Sequence, residues 1–131
     1  MAEAYKPKGY QSAAPYIVAS DAAALLGFLA DVFGGEVTRQ YQREDGSIAH
    51  AETKIDDTII MIGQSGGDWQ PVTAWVHVYV QDAEAVHEKA IAAGAKEMFA
   101  PEKKPDDTDL RSGFTDPWGN CWFPATQMEE E

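Results

Sequence analysis

Three polar residues of the chain have side chains that could move protons or hold a metal ion: His50, Glu52 and His77. An imidazole titrates near neutral pH, and a carboxylate can orient it, so this set suits acid–base catalysis. One residue separates His50 from Glu52, which places both on one face of a predicted strand. If that face looks inward, they form an acid–base pair or a displaced metal site with His77. If it looks outward, they are ordinary surface residues.

The spacing of the histidines gives no local metal motif. The chain has three histidines, and no two of them form an HxH or HxxxH pair. The third, His87, lies on a predicted helix and is expected to be exposed. The single cysteine, Cys121, excludes an internal disulfide, which fits a reducing cytoplasm.

Aromatic residues alternate along the predicted strand that carries His77. Trp75, His77 and Tyr79 share one face of this strand, and valines occupy the other face. The valines suit a core covered by a helix, so the aromatic face is predicted to line a half-polar cavity. Trp118 and Trp122 are predicted to be packing residues.

The elements that must position these residues occur twice. Residues 14–37 and 75–98 each read as an alternating strand, a capping Asp, an Ala-rich helix and a Gly-containing turn. The repeat aligns Asp21 with Asp82 and Tyr16 with His77. With the strands that follow, it predicts the order βαβββ in residues 12–63 and again in 73–127. We therefore predict one α+β domain over residues 1–131, with two pseudo-symmetric modules forming a curved sheet around a cavity.

The net charge limits the possible partners. A formal charge of −12 argues against nucleic acid, whose phosphates require a basic surface. No apolar run approaches the roughly 20 residues of a membrane-spanning helix. The acidity is most simply a source of solubility, and alternatively it attracts a cationic ligand.

Two segments carry a resemblance to a known family. Gly46–Ile55 reads GSIAHAETKI and Arg111–Trp122 reads RSGFTDPWGNCW. Together with the doubled βαβββ order, they resemble the vicinal oxygen chelate superfamily, which holds glyoxalase I, extradiol dioxygenases and bleomycin-resistance proteins. The likeness is greatest to PhnB-like glyoxalase-like proteins. It implies two modules around a cavity, usually completed in a homodimer.

The resemblance also implies where a divalent metal would be bound. The ligand positions of the metal-dependent members fall on Ala14, Trp75 and Phe123, and on Met61 or, in a shifted register, Gly63. None of these offers the carboxylate or imidazole that such an ion prefers. The usual metal site is therefore expected to be absent, and a metal is possible only at a non-standard site.

These observations predict a metal-free protein that binds a planar or cationic small molecule, with possible sequestration of a drug or metabolite. The expected ligand-binding residues are Tyr16, Met61, Trp75, His77, Tyr79 and Phe123. The alternative is a glyoxalase-type lyase or isomerase, or a dioxygenase, that uses a relocated metal or none. His77, Glu52 and His50 would be its catalytic residues.

Overall fold

The computed structural model describes residues 5–130, and it confirms the doubled βαβββ order. The first module contains β1 (Tyr16–Ala19), α1 (Ala22–Phe33), β2 (Glu36–Gln42), β3 (Ile48–Ile55) and β4 (Thr58–Gln64). The second contains β5 (Trp75–Tyr79), α2 (Ala83–Ala92), β6 (Lys96–Lys103), β7 (Asp109–Thr115) and β8 (Cys121–Gln127). The fold is thus α+β with two similar modules. No helix of the described chain is long and apolar enough to span a membrane.

The two sheets have the same topology. The strand orders are β1-β4-β3-β2 and β5-β8-β7-β6, and in each sheet the first and last strands of the module pair in parallel. Tyr16 lies opposite Met61 in the first sheet, and His77 lies opposite Phe123 in the second. The pseudo-symmetry predicted from the repeat is therefore present in the strand register.

The predicted aspartates cap both helices. Asp21 accepts a hydrogen bond from the Ala24 backbone N–H at 3.1 Å, and Asp82 accepts one from Ala85 at 3.1 Å. A side-chain acceptor at this position satisfies an N–H group that the first helical turn leaves free. Gly34 ends α1 with a φ of 69°, which a residue with a side chain rarely adopts.

One hydrophobic core joins the modules. Phe28 and Phe33 of α1 reach across to the second sheet, where Phe28 lies 6.2 Å from Phe114 and Phe33 lies 5.4 Å from Trp122 between ring centroids. Phe114 and Trp122 are fully buried, and the large apolar area of these rings supplies most of the contact between the modules. The helix-bearing sides of both sheets therefore meet inside the chain.

Within the described residues, no helix packs on the opposite side of either sheet. We call these sides the module-1 face, which carries Tyr16, His50 and Glu52, and the module-2 face, which carries Trp75 and His77. The two four-stranded sheets remain separate within one chain and do not close into a barrel. The described residues of a single chain thus present two open faces, and the predicted enclosure of a cavity between modules stays a prediction.

Candidate functional site

The module-1 face assembles a chain of hydrogen-bonded polar groups. The Tyr16 hydroxyl lies 3.1 Å from Nδ1 of His50, and Nε2 of His50 lies 2.6 Å from Oε2 of Glu52. The other carboxylate oxygen of Glu52 accepts a hydrogen bond from the Tyr10 hydroxyl. The structure therefore places His50 and Glu52 on the same face as Tyr16.

The surroundings of Glu52 favour its ionised form. Glu52 is only 3% exposed, and this burial by itself raises the pKa of the carboxyl. Hydrogen bonds from Tyr10 and His50, with the nearby charge of Arg39, outweigh burial and hold the pKa below its ordinary value. An ionised carboxylate can only accept, so the hydrogen of His50 must lie on Nε2.

Glu52 is expected to make stability depend on pH. Its carboxylate contributes stability above the ordinary pKa of glutamate, about 4.3, and that contribution is lost as the pH falls through the lower folded-state pKa. Glu52→Gln should therefore be less stable than the wild type by about 1–3 kcal/mol at pH 7. Urea unfolding measured from pH 7 to 3 should show the difference shrinking as the pH falls, and a constant difference would contradict this.

A glycine makes room for the Tyr16 ring. Gly63 pairs with Val18, and a Cβ atom at this position would lie 3.1 Å from the Tyr16 hydroxyl oxygen and 3.1 Å from the Ala49 carbonyl. Met61, opposite Tyr16, is half-buried on the same face. Neither position supplies a ligand for a divalent ion, and both leave Tyr16 free to reach His50.

The module-2 face holds a second polar cluster at the corresponding place. Nη1 of Arg111 donates to Nε2 of His77 at 2.7 Å. Arg111 is held by Asp107 at 2.7 Å and by Asp109 at 2.8 Å, and Asp109 also accepts from the Tyr79 hydroxyl at 2.7 Å. The sequence analysis did not identify Arg111 and Asp109 as site residues. Their positions in β7 could have indicated them, because residues 109, 111 and 113 alternate onto one side of that strand.

These contacts limit what His77 can do in a single chain. Its side chain is exposed, but desolvation and the adjacent Arg111 charge lower the pKa of the imidazole, while Asp109 opposes them. The lone pair of Nε2 accepts the Arg111 hydrogen bond and is not free to accept a ligand proton. His77 is better placed to hold a ligand than to act as a general base.

An aromatic shelf occupies the rest of the module-2 face. We define it as Trp75, Phe99 and Phe123; the centroid of Phe123 lies 5.2 Å from that of Trp75 and 6.3 Å from that of Phe99. Gly113 beneath it has no side chain, and a Cβ there would lie 2.6 Å from Phe99 and 3.1 Å from Phe123. Trp75 is 75% exposed and Phe99 is 45% exposed. The shelf is therefore open to a ligand.

The residues on which the resemblance places the metal ligands do not have the side chains that a divalent ion prefers. Ala14, Met61, Trp75 and Phe123 provide no carboxylate or imidazole, and Trp75 and Phe123 contact each other as rings. Within residues 5–130, no three His, Cys, Asp or Glu side chains converge on one point. The proposed displaced set is brought together only in part, since His77 is bound to Arg111 on the other module.

A groove of about 960 Å³ lies beside the module-2 cluster and away from the module-1 cluster. Its walls come from the end of α1, the β3–β4 turn and the start of α2, including Phe33, Ile55 and Val86. Tyr79 is the one residue of the clusters above that lines it. Apolar side chains share its walls with charged ones, among them Asp56, Asp82 and Lys89, but it contains none of His50, Glu52 and His77.

The prediction for His87 is wrong. This residue is 4% exposed, and its ring nitrogens contact Ser112 at 2.8 Å and Glu97 at 2.8 Å. It lies on the side of α2 that also buries Ala83 and Ala90, a spacing that could have indicated burial. The prediction for Trp122 is confirmed: it is fully buried and donates to Asp116.

The doubled module with its two open faces defines a class of protein built by pairing βαβββ units. The chain matches the model of the Glyoxalase/Bleomycin resistance protein/Dioxygenase superfamily over residues 11–122. It belongs to this superfamily, as its sequence motifs indicated. No curated protein matches the chain by sequence.

Several solved structures share the fold. TioX from Micromonospora sp. ML1 superposes with a TM-score of 0.72 at 21% identity, covering 88% of this chain and 99% of TioX. A PhnB protein from Bacillus cereus gives a TM-score of 0.72 at 15% identity, covering 88% and 99%. The fosfomycin resistance protein FosX from Mesorhizobium loti gives 0.64 at 14% identity, covering 88% and 91%. At these identities the likeness shows the fold alone.

Proposed function

We propose that this protein binds a planar small molecule on the aromatic shelf and acts without the superfamily's usual metal site. The observation that carries the proposal is the exposed Trp75 ring beside Phe123, at two positions where metal-dependent members place ligands. A planar ligand stacked on these rings removes apolar surface from water, which favours binding, and aromatic pairs prefer offset or edge-to-face contacts. Sequestration of a drug or metabolite is the role that fits a site built for holding.

The charge of the protein favours a cationic ligand. The formal net charge is −12, and a field of one sign raises the local concentration of oppositely charged ligands. The face of a Trp ring also attracts a cation, by about 0.5–2 kcal/mol depending on how dry the contact is. A planar cation therefore combines both sources of affinity.

We infer that a second copy of the chain packs against the edges of the open faces and encloses a ligand pocket over each of them. Large hydrophobic side chains on or beside them are exposed in the single chain: Tyr16, Tyr41, Trp75, Tyr79 and Phe99. Apolar surface gathered in this way is typical of an interface or a ligand site. Sedimentation velocity should give a dimer at micromolar concentration, and a monomer at all concentrations would contradict the inference.

A titration with planar probes of opposite charge tests the shelf. Proflavine, a planar cation, should quench Trp fluorescence, and 9-anthracenecarboxylate, a planar anion, should bind more weakly. Trp75→Ala should weaken proflavine binding about 10- to 100-fold, as expected for an aromatic side chain that the ligand buries. Trp69→Ala, which removes a Trp 52% exposed in the loop between the modules, is the matched control.

Two results would overturn this proposal. Equal affinity of wild type and Trp75→Ala would place the ligand elsewhere. A tighter complex with the anion would remove the argument from charge. Gly113→Leu offers an independent check that leaves the Trp75 residue itself in place. The leucine side chain would displace the Phe99 and Phe123 rings and should abolish proflavine binding.

A second candidate function is a lyase or isomerase that works without a metal. The observation in its favour is the Glu52–His50 contact, because a buried carboxylate beside an imidazole is a common acid–base arrangement. His77→Ala would abolish turnover under this hypothesis and only weaken binding under the first. Because Arg111 already donates a hydrogen bond to Nε2 of His77, His50→Ala is the more direct test of the same hypothesis.

A further inference from the structure

We propose that Tyr16, His50 and Glu52 form a metal-independent proton relay, in which Tyr16 is the acid–base group of the module-1 face. The proposal rests on the continuous contact from Tyr16 through His50 to Glu52, at 3.1 Å and 2.6 Å. It does not depend on the aromatic shelf, which lies on the other module. Tyr16 is the member that reaches solvent, at 36% exposure, and Glu52 is the buried end.

The order of the three groups fixes the direction of their hydrogens. Glu52 is ionised and accepts, so Nε2 of His50 donates to it, and in the neutral imidazole Nδ1 then carries the lone pair. Nδ1 then accepts from the Tyr16 hydroxyl, whose own lone pairs point away from the imidazole. This is the arrangement of a nucleophile or base activated by an oriented imidazole, with a phenol in the first position.

The relay transfers one proton at each contact. When Tyr16 takes a proton from a bound ligand, its own hydroxyl proton passes to Nδ1 of His50. The resulting imidazolium lies against the Glu52 carboxylate, which stabilises the new positive charge. The reverse sequence returns the proton through Tyr16 to the ligand, so no metal, oxidant or other reactant is required.

The second module shows what the relay requires. The repeat places His77 where Tyr16 lies and Arg111 where His50 lies, and their contact runs from a guanidinium to an imidazole lone pair. A guanidinium does not release its proton under ordinary conditions. Proton transfer is therefore blocked on the module-2 face and open on the module-1 face.

The groups around His50 leave the relay accessible from one side. Tyr10 covers Glu52, the Trp69 ring lies 6.1 Å from that of Tyr16, and Tyr41 stacks on His50 at 6.2 Å. The titratable or charged groups that face the relay come from the segment before β1, from β1, β2 and β3, and from the residue that follows β2: Tyr10, Tyr16, Arg39, Tyr41, Glu52 and Arg43.

The chemistry of Tyr16 indicates the class of ligand. Desolvation raises the pKa of its hydroxyl, so Tyr16 carries its proton at neutral pH. Each unit by which the pKa values of two groups differ adds about 1.4 kcal/mol to the unfavourable direction of proton transfer, so reversible exchange is least costly between groups of similar acidity. The matching ligand is an oxygen acid of phenolic strength, which means a phenol or the enol form of a carbonyl compound.

Acetylation by N-acetylimidazole tests the relay without a natural ligand. The Tyr16 oxygen attacks the acetyl carbon, the bond to the leaving imidazole breaks, and the hydroxyl proton passes to His50 and then to the leaving group. Mass spectrometry of the full chain in excess EDTA would give the rate at Tyr16 relative to Tyr5, which is 87% exposed. His50→Gln should lower that ratio about 10-fold or more, as expected for loss of a general base.

Two further readouts separate the relay from a purely structural role. Nitrogen NMR should find the His50 hydrogen on Nε2, and Tyr16→Phe should shift the Nδ1 resonance while leaving that tautomer unchanged. Glu52→Gln should also lower the acetylation ratio, in protein shown by circular dichroism to be folded.

Three results would each overturn the proposal. The first is an unchanged acetylation ratio in folded His50→Gln, and the second is a wild-type His50 whose hydrogen lies on Nδ1. The third is a wild-type Tyr16 that reacts no faster than Tyr5 in EDTA and gains its faster rate only when Zn²⁺ replaces the EDTA.

Discussion

Replacing Phe114 by alanine is expected to lower the free energy of unfolding by about 3–5 kcal/mol, the range for deleting a buried phenyl ring. Phe114 is fully buried and contacts Phe28 and Phe33 of the first module and His87 of α2. Its removal leaves a cavity where the two modules meet, because the surrounding rings relax only in part. Urea unfolding followed by circular dichroism measures the loss.

Phe99→Ala is the matched control for this prediction. It removes the same side chain from the same sheet, but from the shelf, where Phe99 is 45% exposed. Its stability should change by less than about 1 kcal/mol, while its affinity for proflavine should fall. Equal losses of stability in the two variants would contradict the assignment of one side of the sheet to the core and the other to the ligand.

Replacing Asp116 by alanine is expected to cost about 3–5 kcal/mol, because it leaves buried donors without partners. The carboxylate accepts four hydrogen bonds at 2.9 Å, from the backbone N–H of Trp118 and of Asn120 and from the side chains of Asn120 and Trp122. Asn120 in turn accepts from the backbone N–H of Ala74, the residue that precedes β5. The substitution therefore loosens both the turn and its attachment to the neighbouring strand.

Asp106→Ala provides the comparison for Asp116. Asp106 is an exposed aspartate in the loop between β6 and β7, and its loss should change stability by no more than about 0.5 kcal/mol. Thermal unfolding of the two variants side by side distinguishes the buried acceptor from a general effect of removing negative charge. A mild effect at Asp116 would show that water can replace the carboxylate in the turn.

Much of the fold follows from local features of the sequence. Asp21 and Asp82 each precede an apolar helical stretch, and their capping contacts depend only on neighbouring residues. Strand alternation correctly separates Trp75, His77 and Tyr79 from the intervening valines, because the side-chain period of a strand is two. The repeat then implies that the second module uses the same plan as the first.

The composition of the site was only partly predictable. The pairing of His50 with Glu52 follows from their spacing, but the sequence left open whether they face inward or outward. The choice depends on which side of the sheet packs against α1, a contact between residues far apart in the chain. Arg111 was missed for the same reason: its partner His77 lies on another strand, and only the β5–β8–β7 order brings them together.

The sequence by itself determined the doubled βαβββ order and the superfamily, because each depends on residue type at a given place in a local pattern. The tertiary structure decided that His87 is buried, that Arg111 caps His77, and that Tyr16, His50 and Glu52 are in contact. It also decided that both helix-bearing sides face inward, through the rings of Phe28 and Phe114. These outcomes depend on packing and hydrogen bonds between distant segments, whose energies no local pattern contains.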